Sequence, residues 1–344
     1  ALEVKTPDDD FNNMVNVWNA YNCFMTFIWS RAASLVYCGL RNGFGYRDTV
    51  QDIQGIIHLA PEMAKEQIKF MLSAQTVKGA GLPLVKYTHT AGKENTPDDA
   101  EYVKETGHPS YRGDDVLWLF PTVYKYISES GDLAFLDEEI LFADREEKAT
   151  VYEHLKRAIE FTVSEKGAHG LPVNRLSDWN DALPLGQKGE STFVAFQVIY
   201  AAKILLKYAN ERKDVQYAEY LEKTIDDVTE KLDSCWNEDR FIRGIYEDGR
   251  LIGERTSKTA SMWLNPQSWS VISGYADKEK SKKAMESVER ELATPYGALL
   301  MAPAHEGKYK NGGSWGNKCT KENGGIQPCS YWSGWLERSN RNNI

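Results

Sequence analysis

The stretch at residues 190–206 constrains the fold more than any other part of the chain. Phe193, Val194, Phe196, Val198, Ile199 and Ile204 fall on every side of a 3.6-residue turn, and a helix without a polar face has to be buried. Residues 214–232 show the opposite pattern. Val215, Ala218, Leu221, Ile225, Val228 and Leu232 form one stripe, with charges elsewhere, as expected of an outer helix with a single inward face. A buried inner ring of helices wrapped by an amphipathic outer ring accounts for both kinds. The chain therefore reads as all-α.

Further helices follow from the same spacing. Phe11, Met14, Val15, Trp18, Tyr21, Met25 and Ile28 predict a packed helix behind the acidic cap candidates Asp8, Asp9 and Asp10. A second helix starts near Thr49 with Ile53, Ile56 and Ile57 on its apolar side, and Pro61 suits the first turn of a third. Others read at about 114–128, 150–165 and 278–292. Strand signals are few: 240–246 and 250–253 around Asp248-Gly249 suit a short hairpin. Tyr126-x-x-Glu129-x-x-Asp132 returns as Tyr208-x-x-Glu211-x-x-Asp214, a three-residue echo that carries little weight. No stretch rich in Pro, Gly and Ser divides the chain, so 1–344 reads as one domain.

Composition removes several classes. With 50 acidic against 41 basic residues and a formal charge of −9, the chain lacks the basic footprint of a nucleic-acid binder. Its 42% hydrophobic content excludes intrinsic disorder. The aromatic share, 12%, serves either core packing or flat sugar surfaces. The opening ALEVKTPDDD has no signal-peptide pattern, and no run approaches the ~18 apolar residues of a membrane span. The five cysteines, Cys23, Cys38, Cys235, Cys319 and Cys329, are odd in number and widely spaced. They read as free thiols in a reducing cytosol, hence a cytoplasmic location. The six histidines are scattered, and no phosphate-binding, dinucleotide or zinc-protease motif occurs. No metal and no organic cofactor is implied.

Three polar loops combine charge with aromatic and glycine residues. Arg41-Asn-Gly-Phe-Gly-Tyr-Arg47-Asp48 offers two guanidinium forks and a carboxylate, suited to the dense hydroxyls of a sugar. Its plainer reading is a glycine turn with Asp48 as helix cap. Ser177-Asp178-Trp179-Asn180-Asp181 sets two carboxylates beside an indole. An aspartate desolvated by tryptophan is a usable general acid, and the indole is a stacking face for a pyranose. Its plainer reading is a turn in which Asp178 or Asp181 caps a short helix. Lys321-Glu-Asn-Gly-Gly325 is weak taken alone.

Together and in order, these loops and five further motifs carry a resemblance. Asn12-x-Met14-Val-Asn-Val-Trp18-Asn, Gly45-Tyr-Arg-Asp-x-x-Gln-Asp52, Asp114-Asp115-Val-Leu-Trp-Leu119, His169-Gly-Leu-Pro172, Asp178-Trp-Asn-Asp181, Lys188-Gly-Glu-Ser191, Asn265-Pro-Gln-Ser-Trp269 and Lys321-Glu-Asn-Gly-Gly325 resemble the cellobiose and chitobiose phosphorylases. These are the inverting disaccharide phosphorylases of glycoside hydrolase family 94. The resemblance implies an (α/α)6 barrel as catalytic domain. The family's N-terminal β-sandwich has no counterpart in the sequence, so the chain reads as the barrel alone, with a truncated C-terminus left open. The resemblance also implies roles. Asp181 matches the general acid, and Trp179 the aromatic residue lining the site for the non-reducing sugar. Arg41, Arg47 and Asp48 match the cluster on that sugar's hydroxyls, and Lys321 matches a lysine of the same subsite. The implied partners are a β-linked disaccharide or oligosaccharide and inorganic phosphate as co-substrate. The family often dimerises, so a homodimer is among the expected states.

One acid without a base suits this chemistry. Inverting hydrolysis needs a second carboxylate to activate water, whereas phosphate is already an anionic nucleophile. The chain departs from the family at the phosphate side: Cys329 stands where the family has histidine, and the family's later Thr-Gly contact falls beyond Ile344. Asn311-Gly-Gly-Ser-Trp-Gly316 lacks the Glu and Tyr used for the acceptor sugar. Two alternatives therefore stand beside phosphorolysis: a phosphate-independent inverting hydrolase or transglycosylase, and a non-catalytic carbohydrate-binding barrel.

Overall fold

The computed structural model describes residues 3–30, 43–181 and 183–304. Its chain divides into two compact units: Ala1–Tyr111 with Asp115–Phe161, and Arg112–Asp114 with Thr162–Ile344.

The first unit opens with α1 (Asp9–Asn13), a π-helical turn (Met14–Asn19) and α2 (Ala20–Trp29). Asp8 caps α1, accepting from the backbone N–H of Phe11 at 3.0 Å. The packed stripe expected here is not packed: Phe11, Met14, Trp18, Tyr21 and Ile28 are about half exposed. The wider π turn breaks the 3.6-residue register on which the stripe depends. Helix α2 meets α3 (Tyr46–Ile53) on its other side, where Ser30 and Thr49 share a hydroxyl hydrogen bond of 3.1 Å. Helix α3 begins three residues earlier than Thr49, with Gly45 rather than Asp48 at its N-cap.

Pro61 occupies the first turn of α4 (Pro61–Ser73), where its missing N–H costs nothing. After α5 (Ala100–Thr106), a 3₁₀ turn (Asp115–Trp118) leads into α6 (Leu119–Ser130), and α7 (Val151–Val163) follows. Val50, Ile53, Ile56, Ala64, Ile68, Met71, Leu119 and Val123 form a solvent-free core in this unit. His154 is a core histidine. Its Nδ1 lies 2.6 Å from Gln75 Oε1 and its Nε2 3.1 Å from the Ile140 carbonyl, and its ring stacks on Phe142.

The second unit is built on α8 (Thr192–Glu211), which packs against α9 (Val215–Asp233) and α10 (Leu264–Ile272). Helix α8 is long and apolar enough to cross a membrane, contrary to the sequence expectation, but 78% of its apolar window is buried inside the protein. It is a core helix. Phe193 and Phe196 are buried as expected, and Trp269 of α10 meets Phe193 edge-on at 5.6 Å. Helix α9 buries Tyr217, Ala218, Leu221, Val228 and Leu232 along its one stripe. Helix α11 (Lys278–Leu292) runs from an Asp277 cap that accepts from Lys280 N at 2.7 Å.

The hairpin expected around Asp248-Gly249 is present. Gly244–Ile245 pairs antiparallel with Leu251–Ile252 and, on its other edge, with Glu190–Ser191. Gly244 is required at that crossing, since a Cβ there would sit 2.6 Å from the Glu190 carbonyl oxygen.

A charge network ties the strand Arg240–Phe241 to α11. The buried Arg240 donates from Nη1 to Glu291 Oε2 at 2.7 Å and from Nε to Asp239 Oδ1 at 2.9 Å. Arg290 and Arg255 reach Asp239 Oδ2 at 2.7 and 3.0 Å. Desolvation pushes the Asp239 carboxyl upward, but hydrogen bonds and the arginine charges outweigh it and hold the group well below the ordinary 3.8. A depressed folded value means stability that is present above the unfolded value and lost as pH falls through the folded one. Asp239→Asn is therefore expected to cost about 1–3 kcal/mol at pH 7. Its gap to the parent starts to narrow as pH falls below about 4, as urea unfolding at pH 7, 4 and 3 checks.

Candidate active site

The loop Ser177–Asp181 is fixed from beneath by a fully buried aspartate. Asp178 and Arg243 are both 0% exposed, with Arg243 Nη2 donating to Asp178 Oδ1 at 2.6 Å. Ser191 Oγ donates to Asp178 Oδ2 at 2.7 Å, and the same oxygen accepts from Val194 N as the N-cap of α8. Asp178 Oδ1 also accepts from the backbone N–H of Asn180 at 2.9 Å, an Asx turn that sets the direction of the loop. The helix cap expected of Asp178 is thus replaced by a tertiary anchor.

Trp179 is half-buried and Asp181 is exposed on this loop. Of the two aspartates beside the indole, the desolvated one is Asp178; the side chain of Asp181 is 40% exposed, and Arg112 Nε donates to its Oδ1 at 2.9 Å. The short segment Arg112–Asp114, which carries Arg112, groups with this unit. Gly113 N donates to the Ser177 carbonyl at 2.9 Å, and a Cβ on Gly113 would meet the Val173 carbonyl at 3.1 Å. Any larger residue there would press on that carbonyl.

Arg47 and Asp48 lie in the first unit, on the opening turn of α3. Arg47 is 7% exposed, and its Nη1 is 4.0 Å from Asp115 Oδ1. Asp48 is half-buried one residue later, where the positive end of the helix favours a carboxylate. Beside them the strand Gly43–Gly45 pairs with Leu84–Lys86. Arg41, Lys321 and Cys329 lie outside the described residues. Among the described residues no group of three or more His, Cys, Asp or Glu is arranged to hold a metal ion.

Sequence reasoning passed over Arg112 and Arg243. Arg243 left a signal: a charge set in Phe241-Ile242-Arg243-Gly244-Ile245 needs a buried counter-charge. Arg112 left none, since its partner is 69 residues away.

The catalytic-domain model of the glycosyl hydrolase 94 superfamily matches residues 1–340. The chain belongs to that family, and its all-α fold class is that of the family's helical (α/α)6 barrel. Among its relatives is an N,N'-diacetylchitobiose phosphorylase of Vibrio proteolyticus, 34% identical over 88% of this chain and 39% of that protein. The same enzyme of Vibrio furnissii is 32% identical over the same shares. The cyclic beta-(1,2)-glucan synthase NdvB of Rhizobium meliloti (strain 1021) is 30% identical over 86% of this chain and 10% of that protein. The chain thus spans about two-fifths, 39%, of the chitobiose phosphorylases it matches. A solved rhamnosidase from Klebsiella oxytoca with rhamnose bound shares the fold at a TM-score of 0.53. Its identity is 14%, covering 84% of this chain and 49% of that one.

Proposed function

We propose that this domain phosphorolyses a β-linked disaccharide or oligosaccharide to a sugar 1-phosphate with inversion, Asp181 acting as general acid. The observation that carries the reading is the anchored loop itself. Its base is locked in the core by Asp178, while Asp181 faces solvent with its carboxylate oriented by Arg112. A group that must hand a proton to a bound substrate needs both accessibility and a fixed direction.

In this reading Asp181 protonates the glycosidic oxygen as the bond from the anomeric carbon to that oxygen breaks. A phosphate oxygen forms the new bond from the opposite face, so a β-glycoside yields an α-sugar 1-phosphate. Trp179 offers a stacking face for the sugar ring, and the family resemblance assigns the donor's hydroxyls to Arg41, Arg47, Asp48 and Lys321. No second carboxylate is needed because phosphate brings its own charge. No cofactor enters; phosphate is the co-substrate. The names of the two Vibrio relatives support a β-linked disaccharide as substrate.

The test incubates the full-length protein with cellobiose, chitobiose, laminaribiose and sophorose, with and without phosphate. Phosphorus NMR is expected to detect an α-sugar 1-phosphate from at least one sugar, only when phosphate is present. Free monosaccharide released at equal rates in both buffers overturns the reading in favour of an inverting hydrolase.

A further inference from the structure

We propose that Arg243 is a positioning residue for this reaction, acting through Asp178 on the carboxylate of Asp181. The inference rests on the reading of Asp181 given above. Arg243 lies between the strands Arg240–Phe241 and Gly244–Ile245, far in sequence from the loop, and it is fully buried. Its Nη2 meets Asp178 Oδ1 at 2.6 Å, and its Nη1 donates to Ser191 Oγ at 3.2 Å. The guanidinium plane is packed at 5.6 Å from the ring centres of Phe193 and Trp263. One arginine thereby joins three segments: the acid loop, the cap of α8 and the link between the strands Arg240–Phe241 and Gly244–Ile245.

This arrangement is a poor way to gain stability. A buried ion pair loses most of its Coulomb energy to desolvation, and well-packed apolar side chains of similar volume do as well or better. Arg243 Nε, moreover, is buried with no acceptor among the described residues. What the planar fork supplies is direction, since two donors fixed in one plane define where Asp178 sits. Asp178 in turn holds the N–H of Asn180, the residue before Asp181. A displacement of Asp178 therefore passes along one residue of backbone to the acid. Arg112 holds the far end of the same loop at Asp181 Oδ1, and Gly113 N holds its near end at the Ser177 carbonyl.

Leaving-group dependence separates positioning from mere support of the fold. A disaccharide needs its glycosidic oxygen protonated, whereas a 2,4-dinitrophenyl β-glycoside of the same sugar departs without a proton. Arg243→Lys replaces the fork with a point charge. In the full-length protein with phosphate, it is expected to lower kcat on the disaccharide by about 10²-fold, the usual cost of misplacing a group by about 1 Å. KM is expected to stay within about twofold, and kcat on the dinitrophenyl substrate to fall by no more than about threefold. Ser191→Ala, which removes one bond to Asp178 and keeps the ion pair, is expected to show the same selectivity at smaller size. That variant carries the test should Arg243→Lys fail to fold, which thermal unfolding reveals. Equal losses on both substrates, or a raised KM with unchanged kcat, overturn the proposal. Asp181→Asn run alongside separates two failures. If it is selective and the Arg243 and Ser191 variants are not, positioning alone falls. If Asp181→Asn itself costs both substrates equally, the reading of Asp181 falls, and this inference with it.

Discussion

Asp181→Asn is expected to lower phosphorolysis of the disaccharide by about 10²–10⁴-fold, the usual range for a positioned general acid. Thermal unfolding should barely change. The side chain is 40% exposed and makes its ion pair with Arg112 at the edge of solvent, where such pairs contribute about 0–1 kcal/mol. Asparagine keeps the shape and can still meet neighbouring donors, but it has no proton of suitable acidity to give. Synthesis in reverse, from sugar 1-phosphate and an acceptor sugar, is expected to fall in parallel. The same carboxylate must then remove the proton from the attacking hydroxyl. Initial rates in both directions, set beside a melting curve, check the prediction. A variant that retains parent rates in both directions removes Asp181 from the role.

The second large effect is on stability. Arg243→Met leaves the Asp178 carboxylate with 0% exposure and without the cation paired to it among the described residues. Removing one partner of a buried pair costs about 3–5 kcal/mol, enough to abolish much of a typical domain's margin. Ser191 Oγ and Asn180 N still bond Asp178, but neither brings a positive charge. The double variant Arg243→Met with Asp178→Leu is expected to recover most of that loss, because the replacement is apolar on both sides. It is not expected to recover turnover, because the turn leading to Asp181 has lost its fixed point. Urea unfolding of parent, single and double variants measures the first effect, and initial rates the second.

The contrast between α11 and the N-terminal helices explains what could be read in advance. Lys278–Leu292 carries a capping aspartate, a one-sided stripe and an apolar end; each is local, and the helix occupies the expected residues. Pro61 worked for the same reason, as backbone chemistry contained in one residue. The stripe from Phe11 to Ile28 has equally good spacing, yet Phe11 and Trp18 are 50% and 48% exposed. Spacing states which residues share a face of an α-helix, but not that the backbone stays α-helical or that something covers the face. The site divides along the same line. Asp181 and Trp179 were legible because they sit together in five residues. The absence of desolvation at Asp181 was not, because it depends on a loop open to solvent and on Arg112, 69 residues away. Arg243 was half legible: its apolar neighbours announced a buried charge without naming Asp178.

The three residues Arg112–Asp114 leave the first unit for the second and give way at once to Asp115. That threading governs how the protein can be taken apart. A cut at 161–162, which looks natural by residue count, strands Arg112 and Gly113 on the wrong fragment. The Gly113–Ser177 and Arg112–Asp181 bonds then become intermolecular. During synthesis the same residues emerge early and wait for the acid loop to arrive before their backbone bonds can close. The orientation of Asp181 is therefore completed only after both halves of the chain exist, and neither half expressed alone is expected to carry it.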